Sequence, residues 1–362
     1  MIRVLTIEPA GNLWGSERAL LDFVRWLPEM EIAVCCPPGQ PLIPKLEKCS
    51  IRVYPYFGYA LHEKGRWRRM AAAFGVARAC FEFRPDIIHL NQAGCYRVAL
   101  PAATLFNLPI VAHVRIFEDA VYLANRAAES RKLRGILAIS EAVARAIRKN
   151  PQLDNVPVHV LYDAYVASRQ KRENKVADRI ACVGRLVSVK GQDILIDALH
   201  LLFESERREI ECYIIGDGSA EYVRTLKAEA ERGPARDAIK FLGARDDVSS
   251  LLLNTTVLAC PSHREPLGRV ILEAWDAGAV PVAYMESGGA AEIIAAAKGG
   301  VLYHAQTPET LAGALLKTLS LPTEEAATFI RNGRAWIEEN CDPRRYGETF
   351  TSLLVKTCAS SS

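Results

Sequence analysis

Short apolar runs alternate with longer amphipathic stretches along most of the chain. Runs of this kind, rich in Val, Ile and Leu, are typical of buried β-strands. In chain order they read IRVLTIEP, EIAVCCPP, IRVYPYF, DIIHLNQ, PIVAHVR, GILAIS and VHVLYDAY, then RIACVGRL, ECYIIGDG, AIKFLGAR, TTVLACPS, AVPVAYME and GGVLYH. Stretches between them, such as SERALLDFVRWL, have the spacing of surface helices. This alternation predicts an α/β fold of parallel sheets covered by helices on both faces.

A polar segment, VASRQKRENKVAD at 166–178, interrupts the alternation and has the composition of a linker. It predicts two doubly wound domains, with bounds 1–168 and 169–342. An amphipathic stretch after an Asp-Pro pair predicts a terminal helix within 343–362. A chain of 362 residues is long enough for each domain to bury its own core.

Composition excludes several classes of protein. The 45 basic and 42 acidic residues nearly balance, so bulk charge does not indicate a nucleic-acid partner. The ten cysteines are scattered through apolar runs, and the chain opens on a strand rather than a signal peptide, so we expect reduced thiols and a cytoplasmic location. No Cys/His set has zinc spacing, so we expect no structural metal. The most apolar window, 98–114, contains two prolines and predicts helix, turn and strand rather than a membrane span.

The segment PSHREPLGRVILEAWDAG at 261–278 carries two carboxylates in different settings. Glu265 lies in a Pro/Gly-rich turn, and Glu273 lies within a helical pattern. On one helix they would be about 12 Å apart along the axis, too far to share a proton or a metal ion but suited to two ends of an elongated ligand. Free N–H groups near Leu267 to Val270 would favour an anion such as a diphosphate. The alternative is that both are solvated surface residues.

This segment resembles the C-terminal motif of the retaining glycosyltransferases of family 4, which have the GT-B fold. In that family a Glu, seven residues and a second Glu mark the donor site. The resemblance implies two Rossmann-like domains, with the acceptor on the N-terminal side, the nucleotide-sugar donor on the C-terminal side, and a final helix that crosses back. It implies that Glu265 holds donor-sugar hydroxyls, that Glu273 holds the ribose, and that Leu267 and Gly268 lie at the diphosphate.

The stretch ACVGRLVSVKGQDILIDAL places Arg185 and Lys190 after the second domain's first strand and before its helix. Two cations there would converge on phosphate oxygens. A lysine at a helix N-terminus is electrostatically unfavourable without an anion, which weakens the alternative of two solvated charges. GRL followed by KG is similar to the family pattern, in which the matching Arg and Lys neutralise the leaving diphosphate.

Near the N-terminus, AGNLWGSERAL forms a loop between Gly11 and Gly15, and Ser16 is expected to cap a helix that begins at Glu17. The loop resembles the family's Gly-rich loop ending in Glu-Arg, which approaches the donor phosphate and the acceptor, so Gly15 is a candidate contact. The pattern is not GxGxxG, so a nicotinamide dinucleotide is not indicated.

His113 lies at the carboxyl end of the strand PIVAHVR, where a parallel sheet would direct it to the ligand crevice. By itself it would be a core histidine, but it matches the family's strand-end His that contacts the donor sugar. The family commonly has Asp after this His, where Val114 stands here, so acceptor handling is expected to differ. The family also has an Asn-Gly turn at the position of Asp163 and Ala164. These two residues offer less freedom for a left-handed turn than Asn-Gly does.

Two glycine loops, YIIGDGSAE and KFLGARDDV, place Gly216 and Gly243 after strands. In the family these loops line the nucleotide pocket, although alone each is an ordinary turn.

A separate feature, HEKGRWRRM at 62–70, groups basic residues around Trp67. Such a cluster is either a solvated helix face or a contact for anionic lipid headgroups.

The sequence therefore predicts a retaining glycosyltransferase that moves a sugar from a UDP- or GDP-sugar to a saccharide or lipid-linked saccharide, in polysaccharide or glycoconjugate synthesis. The expected catalytic residues are Glu265, His113, Arg185 and Lys190, with no metal or other cofactor. Retention and metal independence come from the resemblance alone. A nucleotide-sugar epimerase of the same fold and a non-catalytic sugar-binding protein remain as alternatives.

Overall fold

The computed structural model describes residues 1–27, 30–57, 65–127, 130–168, 178–205 and 209–359. The chain divides into two compact units. Unit 1 comprises Met1–Val166 together with Cys341–Ser362, and unit 2 comprises Ala167–Asn340. The terminal segment thus belongs to unit 1.

Unit 1 is built on a seven-stranded sheet in which all neighbouring strands are parallel. Its strands are β1 (Ile2–Ile7), β2 (Met30–Cys36), β3 (Arg52–Pro55), β4 (Ile87–Leu90), β5 (Ile110–Val114), β6 (Leu133–Ala138) and β7 (Val158–Val160). Their order is β3-β2-β1-β4-β5-β6-β7. The helices are α1 (Gly15–Phe23), α2 (Leu42–Lys48), α3 (Arg66–Phe83), α4 (Tyr96–Leu105), α5 (Phe117–Ala127) and α6 (Glu141–Arg148). The inner strands are buried on both faces, which explains their continuous apolar sequences.

Unit 2 repeats the design with a six-stranded parallel sheet of order β10-β9-β8-β11-β12-β13. Its strands are β8 (Arg179–Val183), β9 (Glu211–Ile215), β10 (Ile239–Gly243), β11 (Val257–Cys260), β12 (Val280–Tyr284) and β13 (Val301–Tyr303). The helices are α7 (Gln192–Ser205), α8 (Ala220–Ala230), α9 (Val248–Leu253), α10 (Arg269–Ala277), α11 (Gly289–Ala297), α12 (Pro308–Leu319) and α13 (Thr323–Asn340). The chain order reverses between β8 and β11, a position where α/β sheets commonly bind ligands.

The last helix, α14 (Pro343–Ala359), packs into the core of unit 1. Its Tyr346 and Phe350 rings lie 4.5 Å and 5.3 Å from the ring of Phe23 in α1. Leu354, one turn further on, is fully buried in the same cluster. The helix therefore completes the hydrophobic core that the first residues of the chain begin.

The predicted fold class is confirmed, and each of the thirteen predicted strands is present. The apolar window at 98–114 forms α4 and β5, as expected. No helix among the described residues is both long enough and apolar enough to span a membrane. The predicted linker lies mostly at 169–177, outside the described residues.

The expected Ser16 cap is wrong. Helix α1 begins at Gly15 and its N-cap is Trp14, so Ser16 already lies in the first turn. The Ser16 hydroxyl donates a hydrogen bond to the Glu17 carboxylate at 3.0 Å instead of accepting one from the helix backbone. The reason is that Glu17, which is fully buried, requires donors.

Candidate functional site

In unit 2, the loops at the carboxyl ends of β8, β9 and β10 are joined by backbone hydrogen bonds. The Gly216 N–H donates to the Gly243 carbonyl at 2.8 Å, and the Gly184 N–H donates to the Ile215 carbonyl at 3.0 Å. Arg185 follows Gly184 and is exposed. The structure thus brings three sequence-predicted residues, Arg185, Gly216 and Gly243, onto neighbouring strand ends.

Gly216 occupies a position that only glycine can fill. Its φ is +143°, and a Cβ there would lie 1.8 Å from the carbonyl oxygen of Gly184. Such an approach requires the absence of a side chain. The glycine in ECYIIGDG therefore allows the loops after β8 and β9 to come into contact.

Lys190 and Glu265 form an ion pair, with the Lys190 Nζ atom 2.5 Å from Glu265 Oε2. Lys190 ends a short 3-10 turn, Ser188–Lys190, just before α7. The Ser262 hydroxyl also donates to Glu265 Oε2, at 3.3 Å. The two side chains are 22% and 11% exposed, so the pair is mostly shielded from water. Burial alone would lower the pKa of Lys190, but the Glu265 carboxylate outweighs burial and raises that pKa, so the ammonium stays charged.

The backbone around Glu265 is held from both sides. The Glu265 N–H donates to the Ser287 carbonyl at 2.6 Å, and the Glu265 carbonyl accepts from the Gly289 N–H at 2.7 Å. These bonds, in the segment between β11 and α10, fix the backbone from which the side chain projects, and Lys190 and Ser262 hold the carboxylate itself. Glu265 is therefore a positioned acceptor rather than a solvated loop residue.

Helix α10 begins next to this pair in sequence. Its N-cap is Gly268, with a φ of +82°, and a glycine has no side chain to accept hydrogen bonds from the first turn. Leu267, which precedes it, is buried. A helix start of this kind presents N–H groups and the positive end of the helix dipole to an anion.

Glu273 lies inside α10, as predicted, but it does not join the Lys190–Glu265 pair. Its Oε1 atom lies 4.0 Å from the Nε atom of Arg269, one turn earlier on the same helix. Both side chains are partly buried. Glu273 thus has a cation of its own beside the helix start.

In unit 1, a cluster of buried polar side chains lies where β1, β4 and β5 end. Glu8 follows β1, Asn91 and Gln92 follow β4, and Arg115 follows β5. The Asn91 Nδ2 atom donates to Glu8 Oε2 at 2.6 Å, and Gln92 Nε2 donates to Glu8 Oε1 at 3.2 Å. Arg115 donates to the Asn91 carbonyl at 2.8 Å and to Asn91 Oδ1 at 3.0 Å. The carboxyl ends of parallel strands are where α/β sheets place their ligands.

A second buried carboxylate, Glu17, holds the glycine loop against this cluster. It accepts from the Gly11 N–H at 3.2 Å and from the Ser16 hydroxyl at 3.0 Å. Gln92 Nε2 also donates to the Ser16 hydroxyl, at 3.0 Å, which links the two carboxylates. Gly15 opens α1, and no atom lies within 4 Å of where its Cβ would be.

Burial, and after it the nearby Glu17 carboxylate, raise the pKa of Glu8 to about 7, while hydrogen bonds from Asn91 and from the Ala10 N–H oppose the shift. Arg115, whose charge lowers the pKa of Glu8, forms an ion pair with Asp163 rather than with Glu8. Glu8 is therefore a buried acid that titrates near neutral pH. A group of this kind is a functional-site candidate.

His113 lies at the end of β5, as predicted, but its side chain is fully buried rather than open to a crevice. Its Nδ1 atom is 3.4 Å from Arg115 Nη2. Burial and the Arg115 charge lower the pKa of His113 well below the ordinary value, so the imidazole is neutral. Its contact with a donor sugar stays a prediction.

The structure gives a reason why Asp163 and Ala164 stand where the family has an Asn-Gly turn. Neither Asp163 nor Ala164 has a positive φ, so the left-handed turn of Asn-Gly is not formed there. Asp163 instead forms a buried ion pair with Arg115. The residue that replaces the turn asparagine thus supplies a partner for the arginine that follows His113.

Sequence reasoning did not assign Glu8, Asn91 or Gln92. A usable signal was present, because each directly follows an apolar strand, as Arg115 does, and polar residues at those points share one sheet edge. Their pairing also depends on the order of the strands, which places β4 beside β1.

The geometry can be compared with known proteins. A family model described as Glycosyltransferase Family 4 matches residues 14–168, and one described as Glycosyl transferases group 1 matches residues 166–336. A GDP-mannose-dependent monoacylated alpha-(1-6)-phosphatidylinositol monomannoside mannosyltransferase of Corynebacterium glutamicum is 34% identical over 184 residues, which are 48% of this chain and 46% of that protein. A glycogen synthase of Thermus thermophilus is 33% identical over 150 residues, 40% of this chain and 32% of that protein. The chain spans about half the length, or less, of these curated relatives.

Solved structures match over nearly the whole chain. Anabaena HepE in complex with UDP and glucose has a TM-score of 0.83 at 22% identity, with 98% of this chain and 100% of that chain covered. A glycosyltransferase from Rickettsia africae has a TM-score of 0.80 at 18% identity, with 98% of each chain covered. At this identity the likeness shows the fold alone. Because the two family models match successive halves of a chain with this fold, the chain belongs to the glycosyltransferases of family 4, with the GT-B fold.

Proposed function

We propose that this chain moves a sugar from a UDP- or GDP-sugar to a hydroxyl of a saccharide or lipid-linked saccharide, with retention at the anomeric carbon, in polysaccharide or glycoconjugate synthesis. The observation that carries the proposal is the Lys190–Glu265 pair, next to the glycine-capped start of α10. The pair combines a charged ammonium with a held carboxylate, and Glu265 shortly precedes in sequence a helix start that favours an anion, which supports a site for a sugar diphosphate.

The proposed roles follow from this chemistry. As the bond to the donor sugar breaks, negative charge builds on the departing diphosphate, and preorganised positive groups lower the barrier. Lys190, Arg185 and the N–H groups after Gly268 would supply that stabilisation. Glu265 would accept hydrogen bonds from the sugar hydroxyls, and Glu273 would accept from the ribose.

The relatives support a uridine or guanosine donor. The Corynebacterium enzyme is named as GDP-mannose-dependent, and HepE was solved with UDP-glucose. The loops of Gly216 and Gly243 would let backbone groups approach the nucleotide. We also propose that transfer needs no metal ion, because Lys190, Arg185 and the helix start supply positive charge.

The first test is thermal stabilisation by UDP, GDP, ADP, their sugar conjugates and NAD, each with EDTA. A ligand at 100 times its dissociation constant adds about 2.7 kcal/mol to the free energy of unfolding. We expect UDP or GDP with its sugar conjugates to stand clear of the others. Stabilisation by none of them, or by NAD alone, would remove the donor site from unit 2.

The second test is the reaction itself. With the donor identified, candidate saccharide acceptors are added, and the anomeric configuration of the product is read by NMR. An α-linked donor should give an α-linked product. Inversion would contradict retention, and isomerised donor in the absence of an acceptor would favour the epimerase.

We also propose peripheral contact with anionic membranes, on the cytoplasmic side, through the basic cluster at 62–70. Residues 62–64 lie outside the described residues, and α3 begins at Arg66. Trp67 is 82% exposed, and Phe74 and Phe81 are exposed further along the helix, each seven residues from the last. Aromatic side chains beside arginines suit the headgroup region of an anionic bilayer. All ten cysteines lie in the described part of the chain and none of them forms a disulfide, which is consistent with the proposed cytoplasmic side.

Flotation with anionic liposomes tests this contact. We expect binding that salt weakens and that Trp67→Ser reduces. Absence of binding at every salt concentration would exclude the contact, with zwitterionic liposomes as the matched control.

A further inference from the structure

An apolar groove lies at the carboxyl edge of the unit 1 sheet, where β2 and β3 end. Pro38 follows β2, Pro55 is the last residue of β3, and Tyr56 and Phe57 continue the chain from there. These four residues line one side of the groove, whose volume is about 290 Å³. That is about twice the roughly 150 Å³ of an apolar cavity that takes up benzene. The groove therefore has room for a stretch of hydrocarbon chain.

Helix α3 forms the other wall of the groove, through Ala71, Phe74, Gly75 and Arg78. A glycine inside a helix is normally destabilising. Here a Cβ on Gly75 would lie 2.7 Å from the Cβ atom of Tyr56, so the absence of a side chain lets Tyr56 pack directly against the helix. This contact joins the two walls of the groove.

Helix α3 carries apolar side chains on two opposite faces. Val76 and Phe83 lie on the face that is buried in unit 1. Trp67, Met70 and Phe74, spaced by three and four residues, share the other face and are exposed. Large apolar side chains that are exposed together mark a binding surface. The groove therefore belongs to a surface of unit 1 that suits an apolar partner.

Tyr56 connects the groove to the polar cluster at the ends of β1 and β4. It lines the groove, and its hydroxyl donates to the Glu8 carbonyl at 3.0 Å. The segment after Pro38 makes a second connection, because the Leu42 N–H donates to the carbonyl of Gly11 in the glycine loop at 3.2 Å. A ligand with an apolar chain and a polar head would reach the groove and the cluster together.

Positive charge accompanies the apolar surface. Arg78 lines the groove, and three further arginines lie in the first turn of α3. The Arg78 Nε atom is 3.5 Å from Glu82 Oε1, but both side chains are about half exposed, so water screens this pair and another anion can replace it. A phosphate that joins a hydrocarbon chain to a saccharide would suit these cations.

We propose that this groove binds the hydrocarbon chain of a lipid-linked acceptor, with the saccharide head at the polar cluster of unit 1. The proposal rests on the proposed transferase function for the head group, and it selects the lipid-linked class of acceptor. A free saccharide would leave the apolar walls in water. A bilayer surface differs from a single chain because it contacts the whole exposed face of α3, whereas the chain contacts the groove.

The first experiment measures, by calorimetry, the binding of octyl, decyl and dodecyl phosphate, each below the concentration at which it forms micelles. We expect affinity to rise about fourfold for each methylene that enters the groove, the effect of burying one CH₂ group, and then to level off. Ala71→Phe places a ring in the groove and should weaken binding of decyl phosphate about tenfold or more. Its thermal midpoint shows whether the variant is folded. Absence of binding to the wild type would overturn the proposal.

Two phenylalanines of α3 give a matched comparison. Phe74 and Phe81 are exposed to similar extents, 73% and 68%, but in the described part of the chain Phe74 lines the groove and Phe81 does not. Phe74→Ser should weaken binding of decyl phosphate about fivefold or more, since apolar contact is lost, while Phe81→Ser keeps it. Trp67→Ser should also keep it, although it reduces liposome binding. Equal losses in all three variants would indicate a general bilayer-facing surface and would overturn the groove.

Activity separates this proposal from the transferase function. Once a saccharide acceptor is found, kcat/KM for its n-alkyl glycosides should rise with chain length in the wild type and rise less steeply in Ala71→Phe. Transfer with a kcat/KM that does not depend on chain length would overturn the groove and leave the transferase in place. Binding of alkyl phosphates by a protein that neither binds nucleotides nor transfers sugar would overturn the assignment to an acceptor, and the groove would then be a lipid site of another kind.

Discussion

Lys190 and Glu265, which the sequence assigns to different parts of a bound donor, form one ion pair of 2.5 Å in unit 2. The carboxylate offsets the cost of burying the ammonium, and it keeps the lysine charged. A diphosphate at that helix start would compete with Glu265 for the same ammonium. Under the proposed roles, binding of the phosphate and orientation of the Glu265 carboxylate would therefore be coupled.

Replacing the carboxylate tests its role without removing its shape. Glu265→Gln should lower kcat on the order of 100-fold, the size of effect seen when one positioned polar group at a reacting centre is lost. The thermal midpoint should change little, because the backbone bonds of Glu265 to Ser287 and Gly289 do not use the side chain. The exposed Glu324→Gln serves as the control. Near-normal turnover would show that Glu265 does not touch the donor.

The coupling itself is accessible to a double-mutant cycle. Lys190→Met should weaken UDP or GDP binding by about tenfold or more, since a charge-assisted contact to phosphate is lost. Because Lys190 and Glu265 are partners, the double variant Lys190→Met with Glu265→Gln should deviate from additivity by about 0.5 to 3 kcal/mol in calorimetric binding. Strict additivity would mean that the two side chains act on the ligand independently.

Substitution by alanine is expected to have opposite effects on stability at two glycines. Gly216→Ala forces a Cβ to 1.8 Å from the Gly184 carbonyl, so the loops after β8 and β9 must separate. We expect loss of nucleotide stabilisation and a lower thermal midpoint. Gly15→Ala meets no atom within 4 Å and lies at a helix start, so stability should be kept. If Gly15→Ala nevertheless lowers donor affinity, the predicted phosphate contact of Gly15 is supported.

The fold could be predicted because apolar strands have a short-range signature, and a parallel sheet buried on both faces repeats it. Glu265 and Lys190 were both identified, but not as partners, because 75 residues separate them and only the fold brings them together. Ser16 was misassigned because a good capping residue also serves as a donor to a buried carboxylate. Glu8 was missed because its raised pKa comes mainly from burial, which the fold creates, and because its partners Asn91 and Gln92 lie 83 and 84 residues away in sequence.

The buried acid Glu8 gives a stability prediction with a definite sign. Its pKa is 4.5 ordinarily and about 7 in the folded state, so the folded state alone keeps the proton between those values. The contribution of Glu8 to the free energy of unfolding therefore falls as pH rises from 4.5 to about 7, and it stays constant above pH 7. Glu8→Gln cannot ionise, so its stability relative to wild type should increase over that window by up to about 3 kcal/mol.

His89 makes the comparison between variants necessary. Burial lowers its pKa from 6.5 to about 3, so the unfolded state binds a proton first as the solution becomes acidic. Its contribution to stability is lost as pH falls below 6.5, which opposes the trend of Glu8. Comparing the urea unfolding of the wild type with that of Glu8→Gln at the same pH cancels the contribution of His89 to stability. A difference that does not change with pH would show that the pKa of Glu8 is the same in the folded and unfolded states.

Phe350 tests whether α14 stabilises unit 1 as the core suggests. Its ring is fully buried, 5.3 Å from Phe23 and 4.8 Å from His89. Phe350→Ala should cost about 3 to 5 kcal/mol, because a large cavity opens in a packed core. The exposed Phe74→Ala is the control and should change stability by less than about 0.5 kcal/mol. Hydrogen exchange should show faster exchange in β1 and β4 of unit 1 while β8 and β11 of unit 2 keep their protection. Equal loss of protection against exchange in all four strands would mean that the two units unfold as one cooperative body.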